Sequence, residues 1–357
     1  MAGDGEHSEA PRRTGRPTIK DVALLAGVSW RTVSNVIHGH KYLRAETRAK
    51  VEAAISELGY RPQQAARQLR SGRSELLTLA VPYIAHPYFA RLAHAVAQEA
   101  ERHGYDVLID ETRGIRDREL HVAAGYRKIL TDGIIFSPIT IDRQELEAAR
   151  NETPIVLLGE HIRTRRIDSV MVDNVASIRA LIDHLAGLGR RRIAFLGYVA
   201  TGGLGSSDLR VQGYREGLSA AGLDVDPAWM ISVAHGARAS TIEGDYSREA
   251  GYERTREFLP RIGEIDALVC ANDLLAIGAL RALREAGVRV PADVAVTGWD
   301  DIPDGAYAAP ALTTVAPDLE GIARLAVRAV LRRLDTPDAR PRATTAKHRL
   351  VLRDSTA

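Results

Sequence analysis

Between Thr18 and Ile37 the chain reads Thr-Ile-Lys-Asp-Val-Ala-Leu-Leu-Ala-Gly-Val-Ser-Trp-Arg-Thr-Val-Ser-Asn-Val-Ile, a pattern that spells two short helices around a tight turn. Thr18 and Ser29 are good N-cap residues, because each side-chain oxygen can accept from an amide that a helix start leaves without a partner. Gly27 falls between the two helices, where the chain must turn sharply and a positive φ suits glycine. Ala23 is small enough for close helix approach, and Val22, Val28, Val33 and Val36 fall on the inward faces. Trp30, Arg31, Ser34 and Asn35 then project from the first turns of the second helix, the part of a helix-turn-helix that meets base edges. Any small helical pair can use Ala, Gly and Val in this way, so the setting of the motif decides its meaning.

A third helical pattern runs from Ala45 to Leu58, with Val51, Ala54, Ile55 and Leu58 on one face, and closes a small three-helix core. Residues 60–73 follow as a hinge. Pro62 starts a short helix, Gly72 stops it, and Leu69 is an apolar residue on an otherwise polar surface. Read alone this is a linker. In a dimer, two such helices could lie side by side in a minor groove, each Leu69 wedged between base pairs. Charge supports a polyanion-binding head. Residues 12–73 carry 13 Lys/Arg against 4 Asp/Glu, whereas residues 74–357 carry 35 against 39.

With these segments in view, the chain resembles the LacI/GalR family of transcriptional regulators. The resemblance rests on Thr18–Ile37, Tyr60–Leu69, Gly244-Asp-Tyr246, Ala271-Asn-Asp273, Gly298-Trp-Asp-Asp301 and Pro310-Ala-Leu-Thr-Thr314, and it spans about Thr18 to Leu352. It implies an α/β protein with an N-terminal helix-turn-helix head over 17–59 and a two-lobed, periplasmic-binding-protein-like core over 74–357.

Beyond Gly72 the residues themselves turn to strand–helix alternation. Apolar runs recur at Leu76–Val81, Val107–Ile109, Gly133–Phe136 and Ile155–Leu158, then at Arg192–Leu196, Met230–Val233, Ala267–Ala271 and Val294–Thr297, separated by helical patterns such as Tyr88–His103. Continuous apolar strands between helices predict parallel sheets covered on both faces, here two doubly wound lobes with a break near Val172–Asn174. The resemblance adds repeated crossing between lobes: the first is expected over 74–172 and 304–333, the second over 174–302 and 334–357.

Doubly wound lobes bind ligands outside the carboxyl ends of their strands. Those ends carry Tyr83 and the His86-Pro-Tyr-Phe89 segment, Ser137, and Glu160 in the first lobe. The second offers Arg210, Tyr246, Asn272-Asp273 and Trp299-Asp300. Carboxylates and an arginine that engage hydroxyls, with aromatics against apolar ring faces, suit a sugar or similar polyol. Asp273 and Ser137 read equally well as caps or loop ends. The resemblance places Arg210 and Asp300 in a ligand cleft and gives Tyr246 the position that stacks on an effector. Three departures from the family pattern stand out: Gly159 where Asp is usual, Gln63 where Asn usually caps the hinge helix, and an extra stretch around Ala234–Ile242.

The mechanism so implied is a two-state switch. A homodimer reads a near-palindromic operator in double-stranded DNA, with Arg31 bidentate to guanine, Asn35 on adenine or backbone, and Trp30 in apolar contact. Thr18, Ser29, Thr32, Lys41 and Arg48 hold phosphates. Ala65 and Ala66 approach the groove floor beside Leu69. An effector between the lobes, expected to be a sugar, then releases or recruits the DNA, as in a repressor of carbohydrate-utilisation genes.

Two rival classes fit less well. A sugar-binding protein without a regulatory role would share the core but not need the basic head. A dinucleotide-binding enzyme is suggested by Thr201-Gly-Gly-Leu-Gly205, but Asp208 stands where the third fingerprint glycine should be. No P-loop, nucleophile elbow or His-Glu-x-x-His pair occurs, so neither catalysis nor a cofactor or metal is expected. The one cysteine, Cys270, lies in an apolar run and reads as core. No apolar run is long enough for a membrane span, and residues 1–16 read as a polar, disordered arm with no signal-peptide core, so a cytoplasmic protein is expected.

Overall fold

The computed structural model describes residues 17–37, 43–60, 73–126, 131–149, 152–198, 205–233 and 246–357. It divides into a head, Met1–Ser74, and a core, Glu75–Ala357.

In the head, helices α1 (Ile19–Ala26), α2 (Trp30–Ile37) and α3 (Ala45–Leu58) enclose Val22, Ala23, Val33, Val36, Val51, Ala54 and Tyr60. Thr18 and Asp21 form a reciprocal capping box, the Thr18 amide donating to Asp21 Oδ2 at 2.8 Å. Gly27 ends α1 at φ 64, and the turn delivers Ser29, whose Oγ accepts the Thr32 amide at 3.1 Å. Val28, Ile55 and Leu58 pack against the core at half burial.

The core holds two six-stranded sheets. The first contains β1 (Leu76–Val81), β2 (Asp106–Glu111), β3 (Gly133–Phe136), β4 (Ile155–Leu158), β5 (Asp168–Val172) and β11 (Ala343–Ala346), in the order β11-β5-β4-β3-β1-β2. Every pairing in it is parallel. The second contains β6 (Ile193–Tyr198), β7 (Met230–Ser232), β8 (Ala267–Cys270), β9 (Ala295–Trp299), β10 (Thr313–Pro317) and β12 (His348–Val351), in the order β12-β10-β9-β8-β6-β7. Here β12 runs antiparallel to β10, while the other pairings are parallel. Strand order reverses between β1 and β3 in one sheet and between β6 and β8 in the other, which places a crevice at each point.

The helices of the core that bear on the site are α4 (Pro87–Glu101), α5 (Arg116–Ala123), α6 (Arg143–Ala148), α7 (Asn174–Gly187), α8 (Ser206–Ala220), α9 (Arg248–Phe258), α10 (Asp273–Glu285), α11 (Pro303–Ala306) and α12 (Leu319–Asp335). Strand β5 of the first sheet ends at Val172, and the next strand, β6, belongs to the second sheet. The later boundaries differ from expectation. Thr313–Pro317 pairs with β9 in the second sheet, so the return to the first lobe comes at Asp318, not near 304. The first lobe then keeps α12 and β11, which pairs with β5, and the final crossing falls at Lys347. The physical reason is that β10 and β11 are short and threonine-rich, so sheet pairing and not an apolar run assigns them. Cys270 is fully buried, as its surroundings indicate.

Candidate functional site

In the head, Trp30 is 48% exposed and Arg31 is exposed beside it, its guanidinium 5.9 Å from the indole centroid. Thr32, Asn35 and Arg48 are half-buried. Ser34 departs from the outward placement expected of it: it is buried, so it supports packing and not base contact in this conformation. Thr18 and Ser29 spend their side chains on the caps described above, which orients the amides of both helix starts. Lys41, Gln63, Ala65, Ala66 and Leu69 lie outside the described residues, as do the arm and the stretch around 234–242.

In the core, the cleft is organised around Arg210 on α8. Its Nε donates to Asn174 Oδ1 at 2.8 Å and its Nη1 to the Ala271 carbonyl at 2.5 Å. Its guanidinium carbon lies 3.7 Å from the Trp299 ring centroid, and that indole is fixed by Nε1 donating to Ser177 Oγ at 2.9 Å. Burial weakens the Arg210 charge, while Asp300, Glu160, Tyr246 and Tyr88 favour it. An arginine stays cationic under such conditions.

Two carboxylates face this cation. Asp300 is buried at φ 123, a strained backbone for a residue with a side chain. Burial raises its pKa well above the usual range, and Arg210 opposes that rise. Glu160 is buried with Oε1 accepting the Val172 amide at 2.8 Å. Burial raises its pKa too, against the pull of that amide and of Arg210.

Aromatic surfaces complete the site. Tyr88 and Phe89 meet edge to face at 5.1 Å, and the Tyr88 hydroxyl is driven upward in pKa by burial and by Asp300 and Glu160. Tyr246 donates its hydroxyl to the Gly197 carbonyl at 3.2 Å. Asn272 caps α10 through Oδ1, accepting the Leu275 amide at 2.9 Å, and donates Nδ2 to the Tyr246 carbonyl.

The same Nδ2 lies 3.3 Å from His86 Nε2, which joins the two lobes. Burial, then Arg210 and Arg248, lower the His86 pKa to about 4, so the ring is neutral at pH 7. Its Nδ1 also faces the Tyr88 amide at 3.3 Å. A neutral imidazole accepts at one nitrogen only, so the ring satisfies either the α4 cap or the Asn272 contact. A second link is Arg91, which donates to the Asp301 carbonyl from the opposite lobe.

Two expected contacts, Asp273 and Tyr83, sit differently. Asp273 is fully buried and spends both oxygens internally, Oδ2 on the Ile302 amide at 2.8 Å and Oδ1 on the Thr314 hydroxyl at 2.6 Å. It braces the turn that carries Asp300, and Gly298 leaves it room. Tyr83 is buried and donates to the Arg113 carbonyl at 3.1 Å, towards the turn before α5. Ser137 closes β3 with its amide on the Ala80 carbonyl at 2.9 Å and is 9% exposed.

Residues 18–63 match the model of bacterial regulatory proteins, lacI family, and residues 182–356 match that of the periplasmic binding protein-like domain. The HTH-type transcriptional repressor PurR of Haemophilus influenzae (strain PittEE) is 31% identical over 327 residues, covering 90% of this chain and 92% of the relative. The chain belongs to the LacI family. Among solved structures, the Lac repressor dimer bound to operator and the anti-inducer ONPF aligns at TM-score 0.79 and 28% identity, over 96% of this chain and 99% of that one. The transcriptional regulator CelR–cellobiose complex aligns at TM-score 0.67 and 30% identity, over 95% and 100%.

As a LacI-family member the protein is a DNA-binding transcriptional regulator with a ligand-binding core. Its relatives are regulators, and among the described residues no helix is long and apolar enough to cross a membrane. Four further residues belong to this LacI-family cleft: His86, Tyr88, Arg91 and Asn174. Tyr88 and His86 lie in a segment already marked, and the His-Pro pair signals a helix cap at a strand end. Asn174 stands directly after the lobe crossing. Arg91 had no local signal, because its partner is a carbonyl distant in sequence.

Proposed function

We propose that the protein is a cytoplasmic repressor of carbohydrate-utilisation genes, a homodimer on a near-palindromic operator released by a sugar held between the lobes. The observation that carries the ligand reading is the half-buried Arg210, stacked on Trp299 and faced by Asp300 and Glu160. Such a set offers donors and acceptors to hydroxyls at its edges and aromatic faces to C–H surfaces. Phe89, Tyr246, Asn272 and Ser137 line the remainder of that reading. Asp273 and Tyr83 enter as supports, since their polar atoms are engaged within the fold. The cellobiose held by CelR supports a sugar as the ligand class.

On the DNA side, Arg31 reads a guanine, with Asn35 and Trp30 beside it. Thr18, Ser29, Thr32, Lys41 and Arg48 hold phosphates, and Ala65, Ala66 and Leu69 enter the minor groove. The ligand acts through its preference for one lobe arrangement, so a coupling of about 1–3 kcal/mol is the expected scale. No chemistry on the ligand is required.

Selection of bound duplexes from a random DNA pool tests the reading. Ligand-free protein should enrich a palindrome of two half-sites around a pyrimidine–purine centre. Failure of folded protein to enrich any site would count against a repressor that binds without ligand.

A further inference from the structure

We propose that the effector site has a second compartment, so that its ligand is a two-unit sugar, a disaccharide or glycoside, and not a single ring. This rests on the sugar reading above and deepens it.

Two neighbouring residues, Gly159 and Glu160, follow β4, and the Glu160 carboxylate feels the charge of Arg210. At Gly159, directly after β4, the backbone holds φ +88, and a Cβ built there would meet no heavy atom within 4 Å. A carboxylate side chain at this position would occupy that space. Next to it, Glu160 borders a pocket of about 200 Å³ whose wall includes Arg163, Val172, Asn174, Leu209 and Thr345. Arg163 and Thr345 are exposed at its mouth.

The pocket shares two side chains with the cleft. Asn174 receives Arg210 Nε at 2.8 Å, and the Glu160 carboxylate feels Arg210 and, less strongly, Arg163. Helix α8 presents Leu209 to the pocket and Arg210 to the cleft as consecutive residues, about 100° apart around its axis. Ligand sites for whole drug-sized molecules span roughly 300–1,000 Å³, so this pocket suits one part of a ligand whose other part contacts Arg210. Val172 and Leu209 give it an apolar side. Glu160, Asn174, Arg163 and Thr345 give it hydrogen-bonding groups. A pyranose has the same two characters, a C–H face and a hydroxyl edge.

The test is calorimetric titration of the full-length protein with cellobiose, maltose, lactose, sucrose, melibiose and trehalose, and with glucose, galactose and fructose. The expected result is one disaccharide bound at least roughly tenfold tighter than either of its constituent sugars. Thr345→Trp, which fills the mouth, should remove that advantage and leave monosaccharide binding as it was, while Thr345→Ser keeps it. Equal affinity for a disaccharide and its monosaccharide, or an undiminished disaccharide advantage in Thr345→Trp, overturns the second compartment alone. If no sugar of either size binds protein that still holds its operator, the sugar reading fails and this inference with it.

Discussion

Arg210 holds its guanidinium carbon 3.7 Å from the centroid of the Trp299 ring. The stack fixes the plane of the cation, because the indole is itself tied to Ser177. Its Nε and Nη1 are committed to Asn174 and the Ala271 carbonyl, and the remaining donors form the fork available to a ligand. Four segments of the second lobe meet at this one side chain: the start of α7, α8, the end of β8 and the end of β9.

Arg210→Ala should therefore abolish the response to effector while leaving operator affinity unchanged. Loss of charge-assisted hydrogen bonds corresponds to at least about a tenfold drop in ligand affinity. Calorimetry of ligand binding and anisotropy of labelled operator, on the same preparation, check both halves. A variant that still binds effector normally would remove Arg210 from the ligand site.

His86 gives the fold a proton-linked weakness. Its pKa falls from 6.5 to about 4 on folding, so the unfolded chain binds a proton that the native state refuses between those values. The stabilisation is present above pH 6.5 and is lost as pH falls towards 4, by up to about 3 kcal/mol. Denaturant melts across this range should show a shallower pH dependence in His86→Gln than in the parent. Identical slopes would mean that His86 titrates normally in the fold.

Gly298→Ala should destabilise the second lobe and the site together. A Cβ there would lie 2.1 Å from Asp273 Oδ1, which already accepts from Thr314. Displacing that carboxylate frees the Ile302 amide and the turn that holds Asp300. A loss of about 1–3 kcal/mol in urea melts is expected, with weaker effector binding. An unperturbed melt would show that Asp273 shifts without cost.

Some of this was legible in the residues and some was not. Thr18, Gly27 and Ser29 announce the head because caps and tight turns are local chemistry. The strands β1, β3, β4, β6, β8 and β9 are apolar runs because a parallel sheet covered by helices buries both faces. By contrast, Thr313–Pro317 and Ala343–Ala346 have no such run, and only pairing partners far along the chain identify them. Arg210, Trp299 and Asp300 were readable from strand-end position and family pattern. The internal bracing by Asp273 and the lobe-spanning contacts of His86 and Arg91 depend on tertiary neighbours that no local pattern records.

In the head, Arg31→Ala and Arg48→Ala should separate base reading from phosphate binding. The first should cost about 1–3 kcal/mol on the preferred operator and relax discrimination at one base pair. The second should weaken all duplexes alike and reduce the salt dependence. Binding curves on the selected operator and on single-base variants, at several salt concentrations, distinguish the two. Loss of discrimination in Arg48→Ala would reverse the assignment.

The central claim is that a ligand in the core cleft controls DNA binding by the head. Its most direct test is to form the complex with the selected operator, add the sugar that calorimetry shows to bind tightest, and follow anisotropy. Release of DNA from the parent protein and no release from Arg210→Ala is the expected result. A sugar that binds the core of the parent protein but leaves its operator affinity unchanged would contradict it.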